Sequence, residues 1–139
     1  MINVAANALA AAPGIRHLDE LVLPDRVHGS LYTDPVNFQA ELERIWYRGW
    51  VYVGHESEVP KVNDYVMKCI GPEPVIMTRS KDGRVNLLHN RCPHRGNRVC
   101  MFEKGNAGSF TCPYHGWTFA NDGALRGFPF PSGYEGVDR

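Results

Sequence analysis

Two short segments of this chain repeat one frame of cysteine, proline, histidine and glycine. The first is Cys92-Pro-His-Arg-Gly96 and the second is Cys112-Pro-Tyr-His-Gly116. Each segment offers one thiol and one imidazole, so two matching loops can hold one metal centre from opposite sides. The glycine after each histidine lets the backbone turn tightly, and the proline stiffens each loop. The fold must therefore bring two separate loops together.

The ligand spacing indicates an iron-sulfur centre. Cys-x-His is followed, after seventeen residues, by Cys-x-x-His, and two thiolates with two imidazoles can hold a [2Fe-2S] cluster. We expect Cys92 and Cys112 on one iron, and His94 and His115 on the other. A structural zinc site is the alternative, although zinc modules usually pair their cysteines closely and carry a separate histidine pair.

The residues around these loops predict a mainly β fold. Segments rich in Val, Tyr and Ile predict strands over 50–53, 64–70, 75–79, 85–89 and 117–120. Two Asp-Gly turns, at residues 81–83 and 121–123, predict the connections between strands. We expect an antiparallel β-sandwich or meander, from which the two cluster-binding loops emerge. Cys69 lies in a strand pattern and is predicted to be a small core residue, and Cys100 also lacks the cluster frame.

An amphipathic helix is predicted over 34–49, before the strands. Asp34 and Pro35 suit the N-cap and first helical position, and Phe38, Leu42, Ile45 and Trp46 form one apolar stripe. We therefore divide the chain into a tail and leader (1–33), this helix (34–49), the cluster domain (50–127) and an extended exit segment (128–139). Residues Met1 to Pro13 are predicted to be a loose tail.

Composition excludes several classes of partner. Lys and Arg total 15, as do Asp and Glu, so we expect neither nucleic acid nor a membrane surface as a partner. No segment approaches the roughly 20 apolar residues that span a bilayer, and the tail lacks the basic start of a secretory signal. We expect a soluble, cytoplasmic protein whose cysteines serve a metal rather than disulfides.

The motifs carry a family resemblance. Asn90-Arg-Cys-Pro-His-Arg-Gly96 and Thr111-Cys-Pro-Tyr-His-Gly-Trp-Thr-Phe119 resemble the Rieske [2Fe-2S] domain of aromatic-ring-hydroxylating dioxygenase alpha subunits. Leu31-Tyr-Thr-Asp-Pro35 and His55-Glu-Ser-Glu-Val-Pro60 are similar to the leader of those subunits. The resemblance implies that Cys92 and Cys112 hold the inner iron and that His94 and His115 hold the solvent-facing one.

The resemblance also implies partners and a second metal. Family members take electrons from a ferredoxin or reductase and pass them to a mononuclear Fe(II) site that hydroxylates aromatic compounds during their catabolism. That site needs two histidines and a carboxylate, a set we do not expect from His17, His28, His55 and His89. We therefore interpret the chain as the N-terminal portion of an alpha subunit, with no catalytic residue of its own. In the family, alpha subunits form trimers, often with a beta subunit.

A stand-alone Rieske ferredoxin is the alternative function, although its resemblance would begin only at about Val51. Compared with the Rieske proteins of respiratory complexes, Asn97 and Tyr114 replace two disulfide cysteines, and Trp117 and Phe119 replace two hydroxyl donors. We therefore predict a low reduction potential for this type of cluster. Arg91, Arg95 and Arg98 make the first loop basic, which suits either docking of an acidic ferredoxin or bracing of local carbonyls. Trp117 is predicted either to shield the cluster or to be an ordinary core aromatic.

Overall fold

The computed structural model describes residues 18–135. The chain divides into two compact units, Met1–Trp50 and Val51–Arg139. The predicted loose tail, Met1 to Pro13, lies outside the described residues. No helix within the described range is long and apolar enough to cross a membrane.

The first unit is mainly helical. It contains the helices α1 (Leu18–Leu21), α2 (Ser30–Thr33) and α3 (Pro35–Glu41), and a short hairpin of β1 (Val22–Leu23) and β2 (Arg26–Val27). A π-helical turn, Leu42–Trp46, follows α3 directly. The predicted start of the helix is confirmed, because the Asp34 side chain accepts a hydrogen bond from the Val36 amide at 2.9 Å. The β1–β2 hairpin has only two residues per strand, too few for an alternation that sequence reading could detect.

The apolar stripe predicted for this helix is only partly buried. Leu42 is 4% exposed, whereas Phe38, Ile45 and Trp46 are 52%, 62% and 41% exposed. The buried polar residue on α3 is Asn37, whose Nδ2 donates to the Ser30 carbonyl at 3.2 Å. The stripe is therefore a genuine helical pattern, but periodicity alone did not reveal how much of it is covered.

The second unit consists of two antiparallel sheets. The first sheet has the order β5-β4-β3-β6, and the second has the order β7-β8-β9. The strands are β3 (Asp64–Ile70), β4 (Glu73–Arg79), β5 (Val85–His89), β6 (Lys104–Asn106), β7 (Ser109–Thr111), β8 (Thr118–Ala120) and β9 (Leu125–Gly127). This architecture confirms the predicted mainly β, antiparallel fold, in which the two cysteine-histidine segments are loops outside the strands.

Side chains from both sheets form the core of the second unit. Tyr65 and Ile76 of the four-stranded sheet pack with Phe110 of the three-stranded sheet and with Cys100. The Tyr65 and Phe110 rings meet edge to face, with centroids 5.2 Å apart, a favourable geometry for aromatic pairs. Cys100 lies outside the strands, so the core reaches the chain that leaves the first loop.

Three local predictions need correction. Residues 50–53 form no strand. Burial still alternates at Val51, Tyr52 and Val53, but no strand among residues 18–135 pairs with them, and a strand needs such pairing. Cys69 is exposed. Met67, two residues earlier on the same face of β3, packs on the core. Cys69 lies near the end of this strand at Ile70, beyond the part of the face that the core covers.

The predicted extended exit segment contains a short 3-10 helix, Pro131–Tyr134. Pro131 starts this turn, because proline has the backbone angle that a first helical position requires. Phe130 precedes it in the left-handed conformation at φ +55°. Proline and glycine therefore produced a tight turn here rather than a continuous extended chain.

Candidate metal centre

The first loop is closed by two backbone hydrogen bonds. The Gly96 amide donates to the Cys92 carbonyl at 2.8 Å, and the Cys92 amide donates to the Asn97 carbonyl at 2.8 Å. Gly96 has a φ of +73°, a conformation that glycine adopts without steric cost. Cys92 and His94 are therefore held in a closed five-residue turn.

The second loop repeats this backbone. The Gly116 amide donates to the Cys112 carbonyl at 3.0 Å, and the Cys112 amide donates to the Trp117 carbonyl at 2.7 Å. Gly116 has a φ of +72°. The two loops thus share one backbone frame, as their sequences predicted, but the histidine is the third residue of the first loop and the fourth of the second.

The two cysteines of these loops form a buried pair of thiols. Cys92 is 1% exposed and Cys112 is 2% exposed, their side chains lie within hydrogen-bonding reach of each other, and both are free thiols. Burial raises the pKa of the Cys92 thiol, against the effect of the amides of His94 and Arg95. Burial acts in the same direction on Cys112, but the amides of Tyr114 and His115 outweigh it and lower its pKa. Backbone N–H groups thus favour a thiolate at this position.

The two histidines form a second pair. The His94 and His115 rings lie with centroids 4.7 Å apart at 62°. Nδ1 of His115 is buried and has no hydrogen-bond partner among the described residues. Desolvation lowers the pKa of His115, and the positive charges of His94 and Arg95 act in the same direction. These effects favour the neutral imidazole of His115, the form that binds metal ions.

Aromatic side chains fix the orientation of both imidazoles. The Trp117 indole stacks on His94 with 5° between the planes, and Tyr114 stacks on His115 with centroids 3.8 Å apart. Behind Trp117 lies Phe128, at a centroid distance of 5.3 Å. Trp117 therefore belongs to the site through its contact with His94. The stacking role of Tyr114 was missed, because sequence spacing does not show which ring a side chain faces.

This arrangement fits a [2Fe-2S] cluster. In mixed-ligand clusters, two thiolates bind one iron and two imidazoles bind the other, and here the thiols and the imidazoles form separate pairs. Among residues 18–135, no three His, Cys, Asp or Glu side chains converge on one point. A bond from His115 Nδ1 to iron would satisfy a buried nitrogen that otherwise lacks a partner.

The basic side chains of the first loop are exposed and do not bond local carbonyls among the described residues. Arg91, Arg95 and Arg98 are all exposed, and within the described part of the chain their guanidinium groups make no hydrogen bond. Arg91 does lie over the loop, since a Cβ placed on Gly96 would be 3.1 Å from Arg91 Nε. The described contacts therefore do not support the second predicted role of these arginines, in which they bond local carbonyls and brace the loop.

The histidines outside the motif have other surroundings. His55 caps the 3-10 helix Glu56–Glu58, because its side chain accepts from the Ser57 amide, and His28 accepts from the Ser30 amide at 3.2 Å. His89 is the last residue of β5. His17 lies outside the described residues.

Comparison with known proteins gives one consistent result. Residues 49–137 match the family model described as the Rieske [2Fe-2S] domain. The chain is 40% identical over 126 residues to the toluate 1,2-dioxygenase subunit alpha of Pseudomonas putida, covering 86% of this chain and 28% of that protein. It is 46% identical over 112 residues to the N,N-dimethyl phenylurea N-demethylase subunit alpha of Sphingobium sp. (strain YBL2), covering 81% and 24%.

A solved structure agrees with these relatives. The naphthalene 1,2-dioxygenase from Rhodococcus sp., bound to indole, superposes with a TM-score of 0.72 at 42% identity, covering 76% of this chain and 24% of that one. The chain therefore spans about a quarter of the length of the relatives that it matches.

Proposed function

This chain belongs to the family of Rieske [2Fe-2S] domains, and we propose that it is the electron-transfer part of an oxygenase alpha subunit. The proposed ligands are Cys92 and Cys112 for one iron, and His94 and His115 for the other. When bound, a cluster of this type accepts and releases electrons at a potential set by its ligands, its hydrogen bonds and its exposure to solvent.

The observation that carries this proposal is the pairing of the two loops. Their common backbone frame brings two buried thiols together, and their imidazoles meet as a half-buried pair. The loop amides favour a thiolate, and stacked aromatic rings orient both imidazoles and exclude water from their faces. The more exposed imidazole pair is the side through which we propose that electrons pass.

An alpha subunit explains the chain better than a stand-alone ferredoxin. The match to the toluate dioxygenase subunit covers 86% of the chain. This is a larger share of the chain than the Rieske domain, residues 49–137, occupies. The similarity therefore continues into the leader upstream of the Rieske residues. Both relatives are named as alpha subunits.

We propose a role in aromatic-ring hydroxylation for the whole subunit. The toluate and naphthalene enzymes are dioxygenases, and the phenylurea relative is named an N-demethylase. In each case the matched region is about a quarter of the protein, so the substrate would be bound by the remainder. The mononuclear iron with its two-histidine, one-carboxylate ligand set is assigned to that remainder, and no residue of this chain is proposed to touch the substrate.

The proposed electron donor is a ferredoxin or a reductase. Exposed Arg91, Arg95 and Arg98 lie in and next to the first loop, and they would attract an acidic donor and speed its encounter. We further propose that the complete alpha subunit forms a trimer, with or without a beta subunit, and that it is located in the cytoplasm, where thiols stay reduced.

The first test is the metal content of the anaerobically purified chain. We expect two irons and two acid-labile sulfides per chain, and a Rieske-type EPR signal after dithionite reduction. The variants C92S and C112S should lose the signal, whereas C69S, which changes an exposed cysteine outside the loops, should keep it. Zinc without an EPR signal, or an unchanged signal in C92S, would contradict the proposal.

A further inference from the structure

Asn90 lies just before the first loop and is almost completely buried, at 1% exposed. It follows β5 directly and precedes Cys92 by two residues. A buried side-chain amide is costly unless its donors and acceptor are all satisfied. The bonds that Asn90 makes therefore indicate why a polar residue occupies this position.

The Asn90 side chain binds the chain that leaves the first loop. Its Oδ1 accepts from the amides of Val99 at 3.0 Å and Cys100 at 2.8 Å, and its Nδ2 donates to the Cys100 carbonyl at 2.7 Å. Nδ2 also lies 3.3 Å from the Met67 sulfur. One side chain thus offers an acceptor and a donor to a backbone segment, as a neighbouring strand would.

The second loop is closed in the ordinary way. It is flanked by β7 and β8, whose ladder pairs Thr111 with Thr118 at the base of the loop. The first loop has no such ladder, because β5 pairs with β4 and the next strand, β6, begins only at Lys104. Beyond the bond from the Cys92 amide to the Asn97 carbonyl, the contacts of Asn90 with Val99 and Cys100 join the two ends of the first loop.

We propose that Asn90 is a positioning residue for the first cluster loop, replacing the strand pair that closes the second. This inference rests on the proposed function, since it assumes that Cys92 and His94 hold the cluster. Cys100 belongs to the core, so the Asn90 side chain connects the start of the loop to a fixed point. Cys92 and His94 lie on the loop that these contacts close, so a loosened base would move both side chains relative to the second loop.

The test compares Asn90 with a second buried asparagine in the same unit. Asn121 is 5% exposed, and its Nδ2 donates to Asn63 Oδ1 at 3.0 Å and to the Arg79 carbonyl at 3.2 Å. It follows Ala120 and so lies at the end of β8 opposite the second loop. N90A, N90S and the control N121A are made in the full chain and purified anaerobically with the cluster.

We expect N90A and N90S to loosen the first loop and so weaken the hydrogen bonds from its amides to the Cys92 sulfur. This change lowers the reduction potential and broadens the EPR signal. The expected shift is about tenfold in the reduction equilibrium, or about 59 mV for one electron, and N121A should shift it by less than about twofold. In the wild-type chain the Val99 and Cys100 amides should exchange slowly with solvent deuterium. That measurement does not depend on whether a variant folds.

The outcomes separate this inference from the proposed function. A wild-type chain without a Rieske signal refutes the proposed function. A wild-type signal, together with N90 variants that unfold at lower urea but keep its potential and line width, refutes the role of Asn90. An equal shift in N121A, or fast exchange at Val99 and Cys100, also refutes it.

Discussion

The Trp117 indole and the His94 imidazole lie face to face, with centroids 5.1 Å apart and planes 5° from parallel. The two residues come from different loops, so this contact connects the loops directly. Phe128 supports the indole from another side at 5.3 Å. The contact therefore restricts both the rotation of the imidazole and the approach of solvent to its face.

We predict that W117A releases iron to a chelator faster than the wild type. Loss of an aromatic pair is worth about 1 kcal/mol, which corresponds to about a fivefold faster release. W117F should retain most of the protection, because a phenyl ring can still stack on His94. W50A is the control, since Trp50 is fully exposed. Equal rates for W117A and W117F would exclude a stacking role.

We predict that G116A destabilises the chain and disturbs the cluster. Gly116 has a φ of +72°, and an added Cβ would lie 3.0 Å from Pro129 Cγ. G83A is the matched control, because Gly83 has a φ of +84° but open space around the added Cβ. The backbone cost of about 1 kcal/mol should appear in urea unfolding of both variants, whereas a changed EPR signal should appear only in G116A. An altered signal in G83A would contradict this assignment.

We predict a reduction potential near the lower end of the Rieske range, about −150 mV rather than about +300 mV. In the Rieske proteins of respiratory complexes, hydroxyl donors stand where this chain has Trp117 and Phe119. Hydrogen bonds from such donors to the cluster favour its reduced form. A redox titration followed by EPR measures the midpoint directly. A midpoint well above zero would contradict this prediction.

We predict that the double variant R95Q/R98Q is reduced about tenfold more slowly by an acidic [2Fe-2S] ferredoxin at low salt. The difference should shrink at high salt, because mobile ions screen exposed charges. K81Q, which alters a cation on the β4–β5 turn, is the control, and dithionite reduction checks that the cluster itself is unchanged. A rate that does not depend on salt would exclude docking by charge.

Much of the β fold could be predicted because its longer strands follow simple rules. β3 and β5 have the predicted bounds, and the glycines of the two predicted turns, Gly83 and Gly123, have positive φ angles. β6, β7 and β9 were missed, since three residues are too few to display an alternation. β8 is equally short, but the Asp-Gly turn that follows it marked its end. β6 also depends on a partner that is distant in sequence, β3.

The ligand residues of the site could be predicted because cluster chemistry fixes their spacing in the sequence. The residues that position them could not, because their roles depend on tertiary contacts. The motif brought Cys92, Cys112, His94 and His115 to attention, and the structure brings them together as two pairs. The bonds of Asn90 to Cys100 span ten residues, and no periodic pattern encodes them. A polar residue directly after a strand and just before a metal-ligand candidate was the one available signal.

The two loops have the same backbone, but their histidines are offset by one residue. Because of this offset, the two imidazoles have different aromatic neighbours. His94 faces an indole supplied by the opposite loop, whereas His115 faces the phenol ring of its own neighbour, Tyr114, which is 57% exposed. A protein that approaches over Tyr114 would reach a different imidazole from one that approaches beside Trp117. A near-symmetric pair of loops therefore presents a directional surface.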